Sequence, residues 1–319
     1  MQGCITYYLL PITFPEGIVI LNTLYLILYK FIVAKRQTIA DYILPPEALT
    51  ALSATDSNEK LPRFTSIDTL KDFIAHPDVT SEDGNPLMGG ILPCVMAFDK
   101  PLHMTSFQLV AKVRWMLSRA LGRKKIKIGH AGTLDPLATG VMVIATGKAT
   151  KLIEELQSGV KEYFATLKLG ATTPSFDLEH PVDQTFPTEH ITEKMVREVL
   201  TQFEGDIMQI PPVFSACKVE GKRAYDLARS GQTQAEVQLK AKPLRIDCIE
   251  LTNCQLDHQE ITIRVVCSKG TYIRALARDI GEALGSGAHL TALRRTRVGH
   301  FNLDRCFALE EFAQLLEAE

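Results

Sequence analysis

The sequence has no Cys-x-x-Cys pair, no large excess of either charge and no signal-peptide start, and each absence excludes a class of protein. The basic start and small-residue cleavage site of a signal peptide are missing. The formal net charge is −2, so the chain is no polycation and nucleic-acid binding would have to come from local basic patches. An odd, scattered set of cysteines indicates a reducing cytosol and no zinc site; they lie at positions 4, 94, 217, 248, 254, 267 and 306. We therefore expect a cytoplasmic protein without a metal.

Long hydrophobic runs are also scarce. Residues 18–33 are mostly apolar, but they contain Asn22 and Lys30 and fall short of the ~20 residues that a membrane helix needs. We expect residues 1–88 to be an N-terminal extension, apolar at first and then linker-like, with a membrane anchor as the alternative. This extension has 6 basic and 10 acidic residues, which leaves 29 and 27 for residues 91–319. The later part is thus the one expected to hold RNA.

Composition and local patterns predict a folded mixed α/β protein. The 319 residues, 46% apolar and 23% charged, suffice for one large or two ordinary domains. Capping-box spacing from Thr105 to Gln108 predicts a helix start, with Phe107 and Val110 on its apolar side. Period-two alternation predicts a strand over 161–170. The patterns further predict a strand over 261–267 and helices over 191–203 and 271–284.

The stretch Gly-His-Ala-Gly-Thr-Leu-Asp-Pro-Leu-Ala-Thr-Gly, residues 129–140, is the candidate centre of the chemistry. It is too rich in glycine for a helix, and Pro136 biases Asp135 towards extended geometry. The apolar run 141–145 behind it fits a buried strand or the start of a buried helix. A carboxylate on a shaped loop with a rigid anchor is a way to present a nucleophile, whereas a turn in which Asp135 caps a backbone N–H is the alternative.

A second candidate is Arg274. It lies in the first turn of the predicted helix 271–284, where the helix dipole disfavours a cation by ~0.3–1 kcal/mol. A cation at this position calls for an anionic partner, with a weak surface ion pair as the alternative.

Several segments together resemble the TruB family of tRNA pseudouridine synthases. The 129–140 stretch resembles its catalytic motif, and Thr133 favours this branch over related enzymes that carry arginine there. Further matches are Asp-Lys-Pro at 99–101, residues 161–177, 210–225, Cys-Ser-Lys-Gly-Thr-Tyr-Ile-Arg at 267–274, and 289–299. The family has glycine two positions after Lys-Pro where this chain has His103, so the turn is expected to differ slightly.

The resemblance implies an α+β catalytic fold, mainly an antiparallel sheet flanked by helices, over residues 89–304. A short C-terminal helix is expected over 305–319, without the RNA-binding PUA domain of many relatives. The implied catalytic residues are Asp135, Tyr163 and Arg274, with Arg274 paired to Asp135. The implied substrate-binding residues are His130, Asp177, Tyr272, Leu293, Lys100 and Lys269.

Basic residues near these motifs are expected to bind the RNA backbone, although a solvated charged face is the common alternative. Seven of the sixteen residues 112–127 are basic and none is acidic, and Arg294, Arg295 and Arg297 form a second basic patch. The predicted backbone contacts are Arg123, Lys124, Lys125, Lys218, Arg223 and Arg294.

The implied activity is isomerisation of uridine to pseudouridine at position 55, in the T-loop of tRNA, by a monomer without a cofactor. The target base must leave its stack, which costs a few kcal/mol and least in a loop. Asp135 would act at the sugar as nucleophile or as base, which the sequence leaves open. A glycoside hydrolase would need two carboxylates ~5–9.5 Å apart, and we find no second such acid in the matched motifs. A non-catalytic RNA-binding protein or RNA chaperone would need the basic patches but not Asp135.

Overall fold

The structure is a computed structural model that describes residues 43–44, 95–120, 124–215, 217–219, 221–231, 236–237 and 239–317. Most of the predicted extension 1–88 lies outside the described residues. The helices are α1 (Ser106–Ala120), α2 (Ile153–Ser158), α3 (Glu193–Thr201), α4 (Ala224–Arg229), α5 (Ile273–Ala283) and α6 (Leu309–Glu317).

Fifteen strands are described. The first eight are β1 (Ile43–Leu44), β2 (Val95–Lys100), β3 (Ile128–His130), β4 (Ala138–Thr146), β5 (Lys161–Leu169), β6 (Ala171–Thr172), β7 (Gln184–Thr185) and β8 (Gly205–Gln209). The remaining strands are β9 (Lys218–Val219), β10 (Lys222–Arg223), β11 (Lys242–Gln255), β12 (Glu260–Cys267), β13 (Ala288–Val298), β14 (Phe301–Asn302) and β15 (Cys306–Phe307).

Eleven of the described strands form one mixed sheet. Its order is β1-β2-β4-β13-β5-β12-β11-β8, with β3 and β14 added beside β4 and β13, and β15 beside β2. Only the pairs β4–β13 and β2–β15 are parallel among these strands. The predicted α+β fold with a mainly antiparallel sheet is confirmed.

The sheet has two halves that meet where β4 pairs with β13. Helices α3 and α5 pack on the β13–β5–β12–β11 half through buried residues such as Val196, Leu276 and Ile280. Helices α1 and α6 cover one face of β2 and β4, where Phe98 contacts Phe312 edge to face. The other face of β2 and β4 is also buried, which explains why 141–145 reads as one continuous apolar run.

Local sequence signals place most element starts correctly. The capping box is confirmed, because Gln108 N donates to Thr105 Oγ1 (3.1 Å) and Thr105 N donates to Gln108 Oε1 (2.7 Å). The apolar face predicted for α1 is wrong at Phe107, which is 73% exposed. The buried stripe follows Leu109, Val113 and Leu117, and Phe107 lies about 200° around the helix from Leu109.

The strand predicted over 161–170 is β5, with Tyr163, Ala165, Leu167 and Leu169 on its buried face as expected. The run 141–145 lies inside β4 and is a strand, not a helix start. Within the described part of the chain, no helix has both the length and the apolar character to cross a membrane. The apolar run 18–33 lies outside that part.

Candidate active site

The candidate site is built on the loop of residues 131–137 between β3 and β4, called here the Asp135 loop. The loop ends where β4 starts to pair with β13, so it lies at the junction of the two sheet halves. Gly140 has φ +106°, and a Cβ there would lie 2.1 Å from the carbonyl oxygen of Arg295. Only glycine therefore permits the two strands to approach this closely directly behind the loop.

Asp135 and Arg274 meet across 139 positions of sequence. Arg274 Nε lies 2.8 Å from Asp135 Oδ2, and Arg274 Nη2 donates to Asp135 Oδ1 at 3.2 Å. This two-point contact fixes the plane of the carboxylate as well as its distance. Tyr272 precedes helix α5 as its N-cap residue, so Arg274 lies in the first turn, as predicted.

Arg274 is itself held in place by main-chain acceptors. Its side chain is only 6% exposed, whereas that of Asp135 is 36% exposed. Nη1 donates to the carbonyl of Ser175 (3.2 Å) and Nη2 to that of Phe214 (2.9 Å). A buried, fully bonded guanidinium thus presents a partly open carboxylate, which is the arrangement that a preorganised catalytic group needs.

A second carboxylate lies at the same guanidinium. Asp177 Oδ2 is 3.7 Å from Arg274 Nε, and the Asp177 side chain is 6% exposed. Its Oδ1 accepts bonds from Ser175 Oγ (2.6 Å) and from the backbone N–H of Glu179 (3.0 Å). The expectation that the matched motifs hold no second acid at the reactive centre is therefore wrong, and the acid count alone does not exclude a hydrolase.

A cleft of ≈ 270 Å³ opens beside these groups. Three charged residues line it, namely Asp135, Asp177 and Arg274. The remaining lining residues are Leu137, Ala138, Leu290, Thr291, Ala292 and Leu293. A few charged groups among apolar ones suit a partly polar ligand.

Tyr163 lies behind the cleft on β5, opposite Arg295 on β13. It is 8% exposed. Burial raises the pKa of Tyr163 above its ordinary value, while the nearby Arg295 guanidinium opposes this shift. The phenol is therefore protonated in neutral solution and is able to donate its proton.

Lys100 supports the loop from below and has no exposed surface. Its Nζ donates to the carbonyls of Met104 (2.6 Å), Pro101 (3.0 Å) and Pro136 (3.4 Å). Burial lowers the pKa of Lys100 to about 8, partly offset by Asp135. Lys100 is predicted from the family resemblance to contact substrate. The structure contradicts this in the present conformation, because a side chain without exposed surface cannot contact a ligand.

Ser106 is a loop support that the sequence reasoning missed. Its hydroxyl accepts a bond from the Leu134 N–H and donates one to the Leu134 carbonyl, both at 2.8 Å. The start of α1 is thereby fastened to the residue before Asp135. The sequence could have indicated that Ser106 lies at a helix start, because it directly follows the capping residue Thr105. It could not indicate the partner of Ser106, Leu134, which lies 28 positions away.

His130 is half-buried at the end of β3. Burial lowers the pKa of His130, with a smaller opposing effect from the Gly132 backbone. Its Nδ1 atom is buried and has no hydrogen-bond partner among the described residues.

Tyr272 and Lys269 are two further residues predicted to contact substrate. The Tyr272 hydroxyl lies 3.2 Å from Cys217 Sγ, and its backbone N–H and carbonyl bind the side-chain amide of Gln209. Lys269 is exposed in the turn before α5. Neither residue lines the described cleft.

The predicted RNA-backbone residues have different outcomes. Lys124 and Lys125 are exposed before β3. The Arg294 guanidinium is bound by Asp99 Oδ2 (2.7 Å) and Thr139 Oγ1 (3.2 Å) and remains 42% exposed. Lys218 and Arg223 are cross-strand partners in the hairpin β9–β10, and Arg123 lies outside the described residues.

Arg295 contradicts the expectation of a second basic surface patch, because it is 1% exposed. Period-two alternation from Leu293, which lines the cleft, would have placed Arg295 on the inner face of β13. Among the described residues, no cluster of three or more histidine, cysteine or acidic side chains has the arrangement of a metal site.

Comparison with known proteins identifies the family to which this chain belongs. Residues 118–273 match the model of the TruB family pseudouridylate synthase N-terminal domain, and residues 274–319 match the tRNA pseudouridylate synthase B C-terminal domain. The boundary falls inside α5, immediately before Arg274.

Relatives named tRNA pseudouridine synthase B include one from Phocaeicola vulgatus, 67% identical over 70% of this chain and 94% of its own length. Another, from Flavobacterium johnsoniae, is 50% identical over 70% of this chain and 96% of its own length. A chain in the crystal structure of a Cbf5–Nop10–Gar1 complex aligns with TM-score 0.51 and 31% identity, over 69% of this chain. The match spans about half of that chain, 53%.

Two family models that together cover residues 118–319, and a relative 67% identical over nearly its whole length, place this chain in the TruB family of pseudouridylate synthases.

Proposed function

We propose that this chain is a tRNA pseudouridine synthase that isomerises uridine 55 in the T-loop of tRNA to pseudouridine, with Asp135 as the catalytic group. The observation that carries the proposal is the partly open Asp135 carboxylate held at two points by the buried Arg274 in the lining of a cleft. Family membership and the names of its relatives supply the reaction and the substrate class.

The reaction breaks the N1–C1′ bond and forms a C5–C1′ bond, so N1 gains a proton and C5 loses one. No atom is gained overall and no electron is transferred to a cofactor. Asp135 acts at C1′ as nucleophile or at the sugar as base. Tyr163, whose pKa is raised by burial, is proposed to donate a proton to the base.

The target nucleotide has to leave its stack before it reaches the cleft. Leu293 and Asp177 line that cleft and are proposed to contact the flipped base. His130, with its unsatisfied Nδ1, is proposed to occupy the space that the base vacates. Tyr272 and Lys269 remain proposed substrate contacts only through the family resemblance.

The phosphate backbone of the T-stem-loop is proposed to lie along the basic residues that flank the cleft. Exposed Lys124 and Lys125 supply two such groups. Arg294 supplies a third, although its guanidinium also forms an ion pair with Asp99. Arg123, Lys218 and Arg223 are proposed to complete the set. The protein is proposed to act as a cytoplasmic monomer, in keeping with the five described cysteines, all of which are free.

The test is tritium release from a T-stem-loop transcript labelled at C5 of uridine, because that hydrogen leaves only when the C5–C1′ bond forms. We expect Asp135→Asn to lower the rate by about 10⁴-fold or more and to leave transcript affinity unchanged. Asp183→Asn is the matched control, since Asp183 is an exposed acid that accepts a bond from Thr172.

Replacing uridine 55 by cytidine in the transcript should abolish release from the wild type. Binding without any tritium release from the wild type would support an RNA-binding protein instead. Normal release by Asp135→Asn would remove Asp135 from catalysis.

A further inference from the structure

Arg295 is a buried cation that the reaction scheme above does not use. It is 1% exposed, so it contacts neither solvent nor RNA. Within the described part of the chain, no carboxylate lies within ion-pair distance of its guanidinium. Its guanidinium instead donates to three main-chain carbonyls and also lies within hydrogen-bonding reach of the Tyr163 hydroxyl.

The three carbonyls belong to the two ends of the catalytic segment. Arg295 Nη2 donates to the Gly132 carbonyl (3.1 Å) and Nη1 to the Thr133 carbonyl (3.3 Å), both before Asp135. Nε donates to the Val141 carbonyl (2.8 Å), after Asp135 in β4. One rigid fork therefore spans the segment that carries the catalytic carboxylate.

The backbone of Arg295 is fixed on both sides. It pairs with Gly140 of β4 in parallel and with Tyr163 of β5 in antiparallel register. Because the guanidinium is planar and its donors have fixed directions, a fixed backbone also fixes where Gly132 and Thr133 lie.

We propose that Arg295 is a positioning residue for catalysis, which holds the Asp135 loop in place through three main-chain carbonyls and keeps Tyr163 in register with it through the pairing of β13 with β5. This inference rests on the proposed function, since it deepens the account of the same site. A neutral apolar side chain would fill the space without the cost of burying a cation. The retained guanidinium indicates a requirement for its directed donors.

The test compares Arg295→Met, which removes the donors, with Arg295→Lys, which keeps the charge but not the fork. Arg264→Met is the matched control, because Arg264 is a guanidinium in the same sheet, on β12, bound to Glu162 and Glu250. Single-turnover tritium release at saturating enzyme reports the chemical step, and transcript binding reports affinity. Thermal melting establishes that each variant is folded at the assay temperature.

We expect Arg295→Met to slow the chemical step by about 100-fold with transcript affinity within about threefold of wild type. Arg295→Lys should be slowed by at least about tenfold, and Arg264→Met should match the wild-type rate. A rate for folded Arg295→Met or Arg295→Lys within about threefold of wild type overturns the proposal. An equal loss in Arg264→Met also overturns it, since the effect would then follow from sheet stability.

Hydrogen exchange of the peptide that spans residues 131–137 gives a readout independent of activity. Its amides should exchange at least about tenfold faster in Arg295→Lys than in wild type or Arg264→Met. Unchanged exchange overturns the positioning role even if the wild type proves inactive on the transcript. An inactive wild type with faster exchange in Arg295→Lys would instead reject only the proposed function.

Discussion

The Asp135 loop has two sides, and their electrostatics differ. On the cleft side one cation, Arg274, meets two carboxylates, those of Asp135 and Asp177. On the buried side two cations, Lys100 and Arg295, donate mainly to main-chain carbonyls and form no ion pair among the described residues. The cleft side carries the groups that would touch substrate, and the buried side carries none.

The difference indicates that separate residues have two roles. Arg274 orients the carboxylate that faces the cleft, and Lys100 and Arg295 hold the main chain of the loop. A carboxylate bound to Arg274 has its direction fixed but keeps an open edge towards the cleft. A carbonyl bound to Lys100 or Arg295 fixes the main chain and leaves the cation's charge without a neutralising anion. Those fixed positive charges lie directly behind Asp135, where they favour negative charge in the cleft at no reorganisation cost.

The largest effect should come from breaking the cleft side at Arg274. Arg274→Met removes the cation that Asp135 and Asp177 share. It also removes the hydrogen-bond donor to the carbonyls of Ser175 and Phe214. We expect the single-turnover rate to fall by more than about 100-fold and the free energy of unfolding to fall by about 3 kcal/mol. Tritium release and urea denaturation measure the two quantities.

Arg274→Lys separates the effect of charge from that of geometry, because it keeps the charge and loses the two-point contact. It should recover part of the stability but little of the rate. If Arg274→Met retained the rate to within about tenfold, the two sides of the loop would not differ in function as described.

The cleft side was the part that sequence reasoning predicted well. A cation in the first turn of α5 calls for an anion, and the resemblance to the TruB family named Asp135 as that anion, so the pair could be predicted without coordinates. The helix and strand starts at Thr105 and Lys161 also followed from local signals, namely a capping box and period-two alternation.

The buried side was predicted less well, because the family resemblance led to the prediction for Lys100 and a cluster of arginines led to the prediction for Arg295. Lys100 was assigned to substrate and Arg295 to a basic patch, yet both are buried donors to carbonyls. The Pro136 partner of Lys100 depends on the antiparallel pairing of β2 with β4, and the Gly132 partner of Arg295 depends on the parallel pairing of β4 with β13, which joins segments about 155 positions apart. No local pattern encodes these pairings, so neither the strand order nor the carbonyl partners of the buried donors could be derived, although alternation from Leu293 marks Arg295 as inward-facing.

The next largest effect is a pH dependence of stability that distinguishes the buried side. Burial lowers the pKa of both Lys100 and Lys161 to about 8 from 10.5. Below pH 8 each lysine is charged in both folded and unfolded chains, and the fold bears the full cost of the buried charge. Between about pH 8 and 10.5 the unfolded chain binds more protons, so the free energy of unfolding rises with pH.

We therefore expect the stability of wild type relative to Lys100→Met to increase by about 3 kcal/mol over that range. Lys161→Met should show the same pH signature, measured by urea denaturation at successive pH values. At pH 7.5 only Lys100→Met should slow catalysis, by about tenfold, because Lys161 Nζ donates to Gln157 and not to the Asp135 loop. A flat difference across this range would show that Lys100 is not buried in its charged form.

The smallest effect concerns His103, which links the two sides through the turn after Lys100. His103 occupies the left-handed region with φ +62°, a conformation that glycine adopts without strain, and its N–H donates to the Pro136 carbonyl (2.9 Å). A left-handed residue other than glycine costs about 1–2 kcal/mol, while glycine adds about 0.4–1 kcal/mol of unfolded-state entropy. His103→Gly should therefore be more stable than the control His103→Ala by up to about 1 kcal/mol, as measured by thermal melting. If alanine instead equalled or exceeded glycine, the strain at this turn would be absent and the Pro136 contact alone would explain why the turn keeps its shape.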